Sequence, residues 1–122
     1  MKSIIITGAI FAGLAVILGA FGAHGLKTKI SPEDLTIFET GVKYQMYHAL
    51  GLILIGILGF HFQENTIQLP ALLLVIGILV FSGSLYILVL SGLRWMGAIT
   101  PLGGLAFIAG WLLLAFNLYR NS

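Results

Sequence analysis

Four long apolar runs alternate with short polar stretches along this chain, and each run is close to the roughly 20 residues that cross a hydrocarbon layer. The pattern predicts spans at about residues 3–23, 44–62, 70–91 and 101–119. The charged, amphipathic stretch 32–43 is read as an interfacial start to the second helix. Connections this short place successive helices antiparallel. The expected fold is an all-α integral membrane four-helix bundle, with residues 1–122 forming one transmembrane domain.

Several helix starts can be read directly. Ser31 is placed to cap, Pro32 suits a first helical position, and Glu33 and Asp34 favour the positive end of a helix. Pro70 is read as the first turn of the third segment, and Thr100-Pro101 as cap and first turn of the fourth. The opening run resembles a signal peptide, with Ala20-Phe21-Gly22-Ala23 as its small-residue site. Its length and its spaced small residues favour a retained span instead. Gly13, Gly19, Gly51, Gly83, Gly103, Gly104 and Gly110 are expected at close helix contacts. Trp95, Trp111, Tyr119, Tyr44 and Tyr47 are expected near the two interfaces.

Composition narrows the possibilities. Of 122 residues, 59% are hydrophobic and only 8% charged, against about 25% charged in a soluble domain. The chain is too poor in charge to cover a water-facing surface. It has no cysteine, which removes disulfides, thiolate metal sites and thiol nucleophiles. A net charge of +2 falls far short of a nucleic-acid surface. Lys27, Lys29, Lys43 and Arg94 lie toward one side and Lys2 and Arg120 toward the other. The positive-inside rule then assigns both termini to the extracytoplasmic face of a cell-membrane protein.

The densest polar chemistry lies in Tyr44-Gln45-Met46-Tyr47-His48. At about 100° per residue Gly41, Tyr44, His48 and Gly51 share one helix face, with Gln45 beside it. With Ala20-Phe21-Gly22-Ala23-His24-Gly25-Leu26, Phe81-Ser82-Gly83-Ser84-Leu85-Tyr86, Ile99-Thr100-Pro101-Leu102-Gly103-Gly104 and Gly110-Trp111, this stretch resembles the domain of unknown function 423 family over nearly the whole chain. The resemblance implies a bacterial inner-membrane protein of four helices and leaves its biochemical activity open.

The candidate polar interior or ligand site comprises His24, Tyr44, Gln45, His48, Ser82, Ser84, Tyr86 and Thr100. Histidine titrates near neutrality, so His24 and His48 suit a proton relay, or a haem or metal site if they meet on one membrane side. Two histidines make a poor metal site alone, so no metal or cofactor is expected. The plainer reading gives each imidazole a backbone carbonyl or a hydroxyl from Tyr44, Thr100 or Ser82. Ser82-Gly83-Ser84 lacks the Gly-x-Ser-x-Gly elbow of an acyl-transfer nucleophile, so no catalytic residue is assigned. Three roles remain: a non-enzymatic accessory or envelope-modulating protein acting through packing and partner contacts, a small transporter, or a ligand- or lipid-binding protein. Besides the bilayer, the partners considered are other membrane proteins or a second copy. Single cysteines replacing Lys27 and Glu64 should label from opposite sides of the membrane; equal labelling from one side would contradict four spans.

Overall fold

The computed structural model describes residues 2–121, which form four helical rods, each long and apolar enough to cross a membrane. The first rod is α1 (Lys2–Phe21), continued by a π-turn at Gly22–Leu26. The second is α2 (Pro32–Leu58). The third joins α3 (Glu64–Gly77) through a π-turn at Ile78–Ser82 to α4 (Gly83–Ser91). A 3-10 turn at Arg94–Ala98 leads into α5 (Thr100–Arg120).

Local chemistry explains most of these limits. The Ser31 hydroxyl accepts from the Asp34 amide at 3.1 Å, and Pro32 follows it at the first helical position. Gly92 ends the third rod at φ +78°, a left-handed cap that a side chain would strain. Arg94 clasps Asp34 with two parallel bonds of 2.9 and 2.8 Å, fixing the 3-10 turn against the start of α2. That geometry engages the guanidinium within the protein.

The third rod begins at Glu64, not at Pro70, which lies inside α3. A proline there has no N–H to offer the carbonyl four residues back, which belongs to Thr66. The Asn117 side chain of α5 donates to that carbonyl at 3.0 Å in a buried site. A polar residue from a neighbouring rod thus satisfies the acceptor the proline frees, as a membrane interior requires. The helix continues unbroken, and the same bond docks α5.

The rods pack unequally. α2 and the third rod form the centre, α1 packs chiefly on α2, and α5 chiefly on α3 and the second π-turn. Leu52, Ile55, Leu74 and Phe107 belong to a buried cluster toward one end, and Phe38, Leu88 and Leu26 to one toward the other. Small residues set the closest approaches. A Cβ on Gly8 would stand 2.7 Å from the Ala49 carbonyl oxygen, and one on Gly103 would stand 2.7 Å from the Phe81 Cα. Gly103→Ala should lower unfolding stability by about 1–3 kcal/mol, because the obstacle is backbone and cannot swing aside. Gly13→Ala, where a Cβ meets nothing within 4 Å, should leave the unfolding midpoint in mild detergent unchanged or slightly raised.

Candidate functional site

Between the two apolar clusters lies a belt of polar side chains. Gly41 and Gln45 are one turn apart on α2, and Ser82 and Tyr86 one turn apart on the third rod. The Ser82 hydroxyl donates to the Gly41 carbonyl at 2.6 Å. The Tyr86 hydroxyl donates to Gln45 Oε1 at 2.7 Å, and Gln45 Nε2 donates to the Phe11 carbonyl of α1 at 2.8 Å. One amide therefore ties three rods together. A Cβ at Gly41 would meet the Tyr86 ring at 2.8 Å, so the missing side chain is what lets the ring lie across α2 and reach Gln45. Phe38, one turn before Gly41 on α2, packs against the same ring, with centroids 5.2 Å apart.

Ser84 and Thr100 form a separate pair. Their hydroxyls are 2.5 Å apart, and the Ser84 hydroxyl also bonds to the Phe81 carbonyl at 2.9 Å. Thr100 is the first residue of α5, and its side chain makes no capping bond. It links the 3-10 turn and α5 to the third rod instead.

Tyr44 and His48 face away from this belt, into the seam between α2 and α5. The His48 ring lies flat on Phe107, with centroids 3.5 Å apart and planes 10° from parallel. Tyr44 stacks on Phe81 at 4.7 Å, and Trp111 stands 5.9 Å from His48. These rings fill the space that separates the two helices. Trp111 is therefore not an interfacial anchor: it lies midway along α5, over Gly51, where a Cβ would meet its ring at 2.8 Å. His48 Nδ1 is 2.7 Å from the Tyr44 carbonyl oxygen. A carbonyl only accepts, so Nδ1 carries the proton. Nε2 makes no hydrogen bond, yet among the described residues the buried side-chain polar atom left unpartnered is Thr66 Oγ1. His48 as a whole is buried, 7% exposed, and Nε2 sits unbonded at the rim of the seam between α2 and α5.

His24 stands apart from all of these groups. It is exposed within the first π-turn. α1 and α2 run antiparallel, with Gly8 against Ala49 and Gly22 against Phe38. His24 thus lies near the level of residue 36, about 18 Å along α2 from His48 at 1.5 Å per residue. The two imidazoles do not meet, and no group of three metal-ligating side chains occurs among the described residues.

The glycines divide by environment. Gly51, Gly103 and Gly110 lie in tight contacts with Trp111, Phe81 and Leu74, while Gly19 and Gly104 make ordinary ones. Gly13 and Gly83 correct the packing expectation, because a Cβ at either meets open space. Gly8, Gly22, Gly41 and Gly77 are close-contact positions that the spacing argument passed over. Asn117 carries a signal of its own, because a lone amide within an apolar run calls for a partner.

Comparison with known proteins places this arrangement in a wider set. Residues 18–104 match the family model described as "Protein of unknown function (DUF423)". The chain is 49% identical over 120 residues to a UPF0382 membrane protein of Staphylococcus haemolyticus, covering 98% of each chain. It is 50% identical over 115 residues to the UPF0382 membrane protein YwdK of Bacillus subtilis, covering 93% of this chain and 94% of that one. No solved structure matches it.

Proposed function

The chain belongs to the DUF423 family of membrane proteins, and from that premise we propose that it is a non-enzymatic accessory protein of the cell membrane that works through contact with another membrane protein. The reading takes residues 1–122 as one domain, with residues 32–43 at the interface and both termini extracytoplasmic. The orientation is supported by charge, since Lys27, Lys29 and Arg94 gather at the end where the first rod closes and α5 opens.

One observation carries the proposal. Apart from the Thr66 hydroxyl, the polar side chains inside the bundle are engaged in hydrogen bonds, while His48 Nε2 lies unbonded at the rim of the seam between α2 and α5. An acceptor in hydrocarbon gains from meeting a donor, and polar side chains join helices in membranes in this way. The surface around it suits contact, because Tyr47 and Trp111 are exposed there. The residues expected to line a transport path do not converge: Tyr44 and His48 lie in one seam, Ser82 and Tyr86 in another, and Ser84 pairs with Thr100.

The partner binds across α2 and α5, donating a hydrogen bond to His48. A photo-crosslinking side chain at Tyr47, in cells carrying the full-length protein, should capture one discrete membrane protein. His48→Phe keeps a ring for Phe107 but removes the acceptor. It should retain stability to within about 1 kcal/mol while losing most of the capture. An unchanged cross-link in a stable His48→Phe variant would refute the reading, and a cross-link to a second copy would make the role self-association.

A further inference from the structure

Two cavities follow one another along the seam between α1 and the third rod, on the side of the bundle away from His48. The first, about 210 Å³, has a polar mouth of Ser3, Thr7, Glu64 and Gln68 over a floor that includes Leu52 and Val75. The second, about 280 Å³, is bounded by Phe11, Leu18, Ile78, Gly83 and Tyr86, with Gln45 at its base. Along α1 the lining positions 4, 7, 11, 14 and 18 advance by three or four residues, so both cavities share one face of that helix. From 4 to 18 the seam runs about 21 Å at 1.5 Å per residue. The two polar side chains in its inner half are bonded to each other and to Phe11. That half offers only apolar contact.

We propose that this seam binds one acyl chain of a zwitterionic aminophospholipid, with the headgroup seated on the first turns of α1 and α3. The gradient from polar mouth to apolar interior matches an amphiphile entering from one leaflet. The mouth matches both halves of such a headgroup: the Glu64 carboxylate faces the ammonium, and the Ser3 hydroxyl and Gln68 amide face the phosphate. The side chains of Ser3 and Gln68 make no hydrogen bonds among the described residues and remain available to the headgroup. The Thr7 hydroxyl donates to the Ser3 carbonyl at 2.8 Å and adds no further donor. Another helix fits this space poorly, because a helix with its side chains is about 10 Å across.

Gly83 supplies a selective test, since a Cβ there meets no protein atom within 4 Å and a longer side chain fills the inner cavity. The full-length protein, extracted in mild detergent and titrated with phosphatidylethanolamine or phosphatidylglycerol, is weighed by native mass spectrometry. One phosphatidylethanolamine per chain should be retained, about tenfold more tightly than phosphatidylglycerol. Gly83→Leu should weaken that retention about tenfold with an unchanged unfolding midpoint. Glu64→Gln should bring the two lipids to within about twofold of each other. Equal retention of both lipids by the unaltered protein, undiminished binding by Gly83→Leu, or dimers in place of the lipid adduct would each overturn the proposal.

Discussion

A polar group inside a hydrocarbon layer has to find its partner within the protein, and in this bundle the Gln45 amide is the group on which the arrangement turns. Its nitrogen reaches the backbone of α1 and its oxygen receives the Tyr86 hydroxyl, so the orientation of one side chain is shared by three rods. Apolar side chains alone do little to choose among arrangements in lipid, because the tails are as apolar as leucine. Hydrogen bonds and close backbone approach make the choice. Gly41 admits the Tyr86 ring, Ser82 one turn earlier on the third rod fastens the same crossing to the Gly41 carbonyl, and Phe38 packs on the ring.

With the centre held this way, the two outer rods leave two different seams. α5 stands off from α2, and the gap is filled by flat-lying rings, among them an imidazole with one nitrogen unbonded at the rim. α1 stands off from the third rod, and there the gap is hollow, polar at one end and apolar along the rest. One face is suited to a protein that brings a donor, the other to a lipid that brings a chain. Both readings follow from an interior in which the Gln45, Ser82, Tyr86 and Asn117 side chains are already paired.

Much of this fold is legible in the sequence because period and composition are local. Four apolar runs, the Ser31 cap and the shared face of Tyr44 and His48 can all be read without knowing what lies opposite. Features that depend on a partner cannot. Gly8 and Gly13 look alike in sequence, yet one lies against the Ala49 carbonyl and the other against open space. Gln45 lies beside the His48 face, and nothing nearby in sequence reveals that its amide reaches the Phe11 carbonyl of α1. Pro70 reads as a helix start because nothing nearby reveals that Asn117, 47 positions later, satisfies the carbonyl it leaves free. The pairing of Ser84 with Thr100 and the separation of His24 from His48 depend in the same way on register between rods.

The account rests on Gln45 and Tyr86 acting as one interhelical unit, and a double-mutant cycle measures that directly. Gln45→Leu, Tyr86→Phe and the double variant are unfolded reversibly in bicelles beside the unaltered protein. The account predicts a coupling of about 0.5–1.7 kcal/mol, within the range found for hydrogen bonds between helices in membranes. Additive effects, with no coupling between the two positions, would show that the polar belt does not hold the rods together and would contradict it.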